Sequence, residues 1–231
     1  MRLQAFLARA GAEPSRRKAE TPILEGRVTV NGARATLGAT VTPADEVRLD
    51  GRPVRLPETN VYLALNKPAG FLTTMNDDRG RPTVAHLMPA VPGLVPAGRL
   101  DADTTGLLIL TNDGGLAHRV THPTSEIDKQ YRLTLENPVP RAALARLASG
   151  PTLEDGKMRP PGISNLSRAG KTTTLDLTIH EGRNRIIRRA CAAVGLALIS
   201  LHRTRVGPVT LGDLPEGEHR ALAPDELEAL R

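Results

Sequence analysis

Apolar and polar positions along the chain alternate with two different periods, and the change of period divides it. Near the start, Leu3, Phe6, Leu7 and Ala10 recur at helical spacing up to Gly11. Ser15 is placed to cap a second helix over 16–25, closed by Gly26. The period then drops to two: Val28 and Val30 alternate with Arg27 and Thr29, and Asn31-Gly32 is a strong signal for a tight hairpin. A further strand over 46–49 ends at Asp50-Gly51. Residues 1–50 therefore read as a small helix-helix-hairpin unit. Residues 51–60, with two prolines and few apolar side chains, read as a linker. Over 61–231 the predicted strands are 61–65, 70–75, 107–111, 130–136, 172–180 and 197–205. The predicted helices are 83–88, 114–121, 140–149, 184–194 and 223–230. That irregular order points to an α+β fold with a mixed, mainly antiparallel sheet rather than a doubly wound parallel one.

Composition narrows the class. The chain has 231 residues, 39% hydrophobic and 24% charged, within the range of ordinary globular proteins. Its longest uncharged apolar-rich run, Ala190 to Leu201, is shorter than the roughly 18 residues that suggest a membrane span. Arg2, Arg9, Arg16 and Arg17 interrupt every early apolar stretch, so no signal segment is expected and a cytoplasmic location is. A lone cysteine, Cys191, excludes an internal disulfide and any cysteine-based zinc cluster. The net charge is +6 and arginine dominates it. Residues 1–55 hold ten basic against six acidic side chains, and residues 181–205 hold six arginines against Glu181 alone. Such clusters favour phosphate-rich partners, because each neutralised phosphate releases condensed counterions. The only aromatic residues are Phe6, Tyr62, Phe71 and Tyr131, which argues against a module that stacks several bases of a single strand.

Three segments offer chemistry. In Gly98-Arg99-Leu100-Asp101-Ala102-Asp103-Thr104-Thr105-Gly106, two carboxylates two residues apart would share one face of a strand at about 6.5–7 Å. That spacing would suit a glycoside-cleaving pair; alternatively Asp103 and Thr104 cap a loop and Asp101 is a partly buried carboxylate. A carboxylate in that setting needs a nearby cation to stay ionised. The run Glu181-Gly182-Arg183-Asn184-Arg185-Ile186-Ile187-Arg188-Arg189 supplies candidates, since a helix from about 184 puts Arg185 and Arg188 on one face. Tyr131, in Lys129-Gln130-Tyr131-Arg132-Leu133, either packs in the core with Leu133 or offers a flat ring to a base. His118 and His122 lack the glutamate of a zinc-protease motif, and neither a dinucleotide fingerprint nor a phosphate loop is present.

Taken together, Leu65-Asn66-Lys67-Pro68-Ala69-Gly70, the Gly98–Gly106 run with Leu107 to Gly114, Lys129 to Arg132, Glu181 to Arg189 and Leu201 to Pro208 resemble the bacterial ribosomal-RNA pseudouridine synthases of the RsuA type. The closing Leu211-Gly212-Asp213-Leu214 is similar too, and residues 1–50 resemble the S4 RNA-binding domain of that family. The resemblance implies isomerisation of a uridine in ribosomal RNA to pseudouridine, with no cofactor or metal, by a monomer acting on RNA or a ribosomal precursor particle. It makes Asp101 the catalytic aspartate, Tyr131 the ring beneath the target base, Arg188 the partner of the aspartate and Leu201 a pocket residue. Arg99 would sit beside the flipped-out nucleotide, while Arg16, Arg17, Lys18, Arg27, Lys67, Arg183 and Arg185 would face RNA.

Three departures from the family pattern stand out: Ile186 where a glutamine is usual, Ala190 in place of a bulkier residue, and Pro22, expected to kink the second helix. Asp77-Asp78-Arg79-Gly80-Arg81 and Asn112-Asp113-Gly114 with Thr121-His122-Pro123 look more like the large-subunit branch, the RluB-like one. The rival expectations are a non-catalytic RNA-binding assembly factor of the same fold and, more remotely, a glycoside hydrolase using Asp101 and Asp103.

Overall fold

A computed structural model describes residues 1–231. The first unit contains α1 (Leu3–Arg9), α2 (Glu20–Leu24) and four short strands, β1 (Val28–Val30), β2 (Ala33–Arg34), β3 (Val47–Leu49) and β4 (Arg52–Val54), in the order β2-β1-β3-β4. Asn31 and Gly32, then Asp50 and Gly51, all take positive φ, which two-residue hairpin turns require. The second hairpin carries the chain into β4, so residues 52–54 are a strand paired with β3 rather than linker. The second helix is shorter than its pattern suggests, and Pro22 lies in its first turn, where a missing N–H costs no helical bond. The expected kink is absent for that reason. Leu3, Phe6, Leu7, Ile23, Val28 and Val47 close a small core of their own.

The remaining strands are β5 (Tyr62–Lys67), β6 (Val95–Pro96), β7 (Thr105–Thr111), β8 (Lys129–Glu136), β9 (Thr152–Leu153), β10 (Gly156–Lys157), β11 (Gly162–Ala169), β12 (Thr172–Ile179), β13 (Leu198–Val206), β14 (Val209–Thr210) and β15 (His219–Ala221). The helices are α3 (Gly114–Thr121), α4 (Arg141–Ala148), α5 (Ile186–Ala193) and α6 (Pro224–Leu230). The main sheet runs β11-β12-β8-β13-β7-β5-β15, with β9 and β10 forming a separate hairpin. Every adjacent pair in it is antiparallel except β13 with β7. The fold is therefore the mixed, mainly antiparallel α+β type. No helix is long and apolar enough to cross a membrane.

The apolar run of β7 is buried on both faces. Leu108 and Leu110 join the larger core with β8, β12, α4 and α5; Leu107 and Ile109 join a second core under α3 and α6. Covering both faces explains why β7 reads as continuous apolar residues instead of an alternation. Segment 70–75, expected to be a strand, makes only an isolated bridge from Leu72 to Thr83. Residues 84–87 form a single 3₁₀ turn. Strand β11 was not foreseen: it is an edge strand, nearly all exposed, and lacks the buried alternation that marks a strand in sequence.

The parallel step between β7 and β13 rests on Gly106. Its φ is +99°, and a Cβ there would meet the Arg203 carbonyl oxygen at 2.3 Å. Gly106→Ala should therefore destabilise the protein by about 3 kcal/mol in denaturant titrations. Gly114→Ala, at a helix start with open space around it, should be neutral or stabilising by about 0.4–1 kcal/mol. Equal behaviour of the two variants would contradict the close approach at Gly106.

Candidate active site

Asp101 lies in a turn, not on a strand: residues 101–104 close the approach to β7, with Thr104 N–H donating to the Asp101 carbonyl at 3.1 Å. Asp101 and Asp103 therefore do not form the same-face strand pair that a glycosidase reading needs. The turn is fixed from below and behind. The Lys67 ammonium donates to the carbonyls of Pro68 (2.7 Å) and Ala102 (3.3 Å), and Gly70 N–H donates to Ala102 O at 2.7 Å. Thr73 Oγ1 donates to Leu100 O (2.7 Å) and accepts from Leu100 N–H (3.2 Å).

From the other side comes α5. Arg185, in the left-handed region at φ +47°, immediately precedes the helix, which starts at Ile186 rather than 184. Arg188 Nη2 donates to Asp103 O (3.2 Å) and Thr104 Oγ1 (3.1 Å), and lies 3.1 Å from Asp103 Oδ1. Its Nε is buried, has no hydrogen-bond partner and stands 3.8 Å from Asp101 Oδ2; Arg185 Nε stands 3.7 Å from the same oxygen. The Asp101 side chain is 38% exposed and that of Arg188 17%, so the carboxylate is more open to solvent than the sequence suggests. Two guanidiniums thus stand within 4 Å of one carboxylate oxygen.

The loop that presents these arginines is itself clasped. Arg183 donates to the carboxylates of Glu181 and Asp155 and to the carbonyls of Asp155, Gly156 and Lys157. Arg189 bonds both oxygens of Asp155 at 2.8 and 2.9 Å. A single carboxylate in the β9–β10 turn thus anchors both ends of segment 183–189.

Asp101, Tyr131, Arg188 and Leu201 line one cleft of 470 Å³, with Arg99, Arg185 and Ile186 also in its wall. Tyr131 and Leu201 are nearly buried, and the Arg203 guanidinium lies 6.0 Å from the Tyr131 ring centroid. Ile186, the departure from the family pattern, is 4% exposed and joins the core beneath the cleft, so it makes an apolar wall there. Ala190 is fully buried in the same core. Cys191 is buried as well, and burial pushes its thiol up to about 12, so it stays a neutral packing group.

The basic residues expected to face RNA separate into groups. Arg16, Arg17 and Lys18 are exposed. Lys18 lines a second cleft of 450 Å³ that it shares with Arg99 and the Thr73–Asp78 segment, so Arg99 borders both clefts. Arg27 is bound by Asp50 and Glu25. Two expectations are corrected. Lys67 is 0% exposed and supports the Asp101 turn, and Arg183 has its donors spent on the protein itself. Arg185 reaches Asp101 and Asp103 instead of facing outward only. Thr73 and Thr104, which hold the turn, carry no distinctive signal in sequence; Lys67 had one, because it ends an apolar strand run.

Residues 61–193 match the family model for RNA pseudouridylate synthase, and residues 1–47 match the S4 domain. An uncharacterized RNA pseudouridine synthase of Mycobacterium leprae is 47% identical over the whole chain and 92% of its own length. The ribosomal large subunit pseudouridine synthase B of Bacillus subtilis is 42% identical over the whole chain and 95% of its length. A crystal structure of a pseudouridylate synthase superposes with a TM-score of 0.71 at 34% identity, covering all of both chains. The chain belongs to the RNA pseudouridylate synthase family. It is an RNA-modifying enzyme that carries an S4 RNA-binding domain at its N-terminal side.

Burial holds the Lys67 ammonium at about 8, below its usual 10.5, although Asp103 and Asp101 pull the other way. A lysine with a depressed folded pKa binds its proton more weakly when folded, so it costs stability below pH 8 and the cost fades as pH rises toward 10.5. The stability of Lys67→Met relative to wild type should accordingly fall by on the order of 3 kcal/mol between pH 7 and pH 10. A difference that is flat with pH would show that Lys67 titrates normally.

Proposed function

We propose that the enzyme converts a uridine of ribosomal RNA, in the large subunit, to pseudouridine as a cytoplasmic monomer, with Asp101 as the group that acts on the nucleotide. The observation that carries this reading is the convergence, in one 470 Å³ cleft, of a carboxylate, two guanidiniums within 4 Å of it, a tyrosine ring and an apolar wall. Uridine inside folded RNA must leave its stack to reach such a cleft, at a cost of a few kcal/mol. Phosphate contacts from Arg16, Arg17 and Lys18 offset that cost.

Once the nucleotide is seated, the Tyr131 ring lies against the base and Leu201 excludes water from it. Asp101 either attacks C1′ or removes a sugar proton; in both routes it must enter the reaction ionised, and Arg185 and Arg188 stand beside it as counter-charges. The N1–C1′ bond breaks, the base turns, and C5 bonds C1′. The C5 proton is lost and N1 takes one up, so the reaction is an isomerisation that needs no co-reactant. The choice of the large subunit rests on the Asp77–Arg81 and Asn112–Gly114 segments and on the name of the Bacillus subtilis relative. Arg99, exposed at the rim between the two clefts, occupies the space the flipped nucleotide vacates.

A large-subunit RNA transcript incubated with the protein should gain a pseudouridine, detected as a reverse-transcription stop after chemical adduct formation. Asp101→Ala should bind the same RNA and leave it unmodified. Wild-type binding with no new stop would instead favour an assembly factor. Arg99→Ala should slow conversion more on structured RNA than on an isolated strand, and equal losses would remove Arg99 from the flipping step.

A further inference from the structure

Around the active-site cleft six side chains are cationic and two acidic. Asp101 is shared by Arg185 and Arg188, and Glu181 is taken by Arg183. Arg99 stands at the exposed rim. That accounts for all but two of the cations, Lys129 and Arg203, which line the cleft together with Tyr131.

Their placement follows from the sheet. Lys129 is two residues before Tyr131 on β8 and so projects from the same face. Arg203 on β13 is the cross-strand partner of Tyr131. Arg203 is 3% exposed; its Nε donates to Leu107 O at 2.6 Å, which leaves the two terminal nitrogens of the fork for another acceptor. Lys129 Nζ donates only to Ile127 O, at 3.1 Å. Neither side chain has a carboxylate within 4 Å. The nearest acid in sequence, Asp128, is engaged by His180 at 2.6 Å and faces Arg205 at 3.9 Å. Burial, and then the charge of Arg203, lower the pKa of Lys129, while Asp128 pulls the other way. A buried and a partly buried cation, with no carboxylate within 4 Å of either, disfavour the empty cleft and reward the arrival of an anion.

The proposed reaction generates such an anion in this place and at only one stage. When N1–C1′ breaks, the bonding pair stays with the base, which becomes a uracil anion with charge spread over N1, O2 and O4. The uracil of the bound substrate and of the product is neutral. We propose that Lys129 and Arg203 are the groups that hold the detached uracil anion, by hydrogen bonds to its carbonyl oxygens, while it turns to present C5 to C1′. Charge placed in advance where charge develops lowers the barrier without tightening substrate binding. The inference rests on the pseudouridine reading of the cleft and adds to it the site of the leaving base.

The competing occupant of the same two cations is a phosphate of the RNA, and the two differ in what they make Lys129 do. Single-turnover conversion at saturating enzyme, and RNA affinity across a salt series, should be measured for wild type, Lys129→Met, Lys129→Gln and Lys129→Arg. The expected result is a loss of about 100-fold in the conversion rate for the Met and Gln variants, with RNA affinity and its salt slope unchanged. Lys129→Arg, which restores the charge, should recover most of the rate, whereas a purely structural role would not distinguish Arg from Gln by charge. Weaker RNA binding with a salt slope smaller by about one, at an unchanged saturated rate, would assign Lys129 to a phosphate and overturn the proposal. An unchanged rate and affinity would also overturn it. If wild type makes no pseudouridine on any RNA, the reading of the cleft fails and the proposal with it; if wild type is active and the Lys129 variants match its rate, the proposal alone fails.

Discussion

Arg188 reaches back across 84 residues of chain to Thr104 Oγ1 and the neighbouring Asp103 carbonyl, and that bond joins the entry turn of β7 to the start of α5. Everything else around the cleft serves to hold those two segments opposite each other. Gly106 lets β7 and β13 approach, Lys67 and Thr73 brace the turn from below, and Asp155 clasps the arginine-rich loop from outside. The interaction is a charge-assisted one at partial exposure. Its energy comes from geometry set elsewhere in the fold rather than from a dry ion pair.

A consequence is a division of labour among cations that look alike in sequence. Arg183 and Arg189 are structural ties to Asp155, Arg185 and Arg188 face Asp101, and Lys129 and Arg203 have no carboxylate within 4 Å. Under the proposed function the second pair flanks the reacting carboxylate and the third receives the departing base. Outside the cleft, Arg16 and Arg17 are exposed and Lys18 lines a second opening that Arg99 also borders, so a cation of the S4 domain and one at the mouth of the site share that opening.

Much of this architecture was legible before any coordinates. Helices α3, α4 and α6 and strands β7, β8 and β12 fall within about two residues of their predicted bounds, because each carries a clear apolar pattern, periodic in the helices and in β8 and continuous in the doubly covered β7. Asp101, Tyr131, Arg188 and Leu201, named from separate motifs, line a single cleft. What escaped prediction shares one physical cause: it depends on partners distant in the chain. Lys67 and Arg183 read as surface cations until their acceptors, the Ala102 carbonyl and the Asp155 carboxylate, are seen beside them. Arg185 read both as a candidate partner of the carboxylate and as RNA-facing, and only its position 3.7 Å from Asp101 Oδ2 decides between them. Strand β11 is polar and exposed, and only pairing with β12 makes it a strand.

The Arg188 guanidinium acts either on the Asp101 carboxylate or merely on folding and RNA binding. Single-turnover conversion by Arg188→Met, with RNA affinity and unfolding measured alongside, separates these. The predicted result is a fall in rate of about 10²–10³-fold with RNA affinity within a few-fold of wild type and a folded protein. A wild-type rate in the folded variant, or a loss carried entirely by RNA affinity, would contradict it.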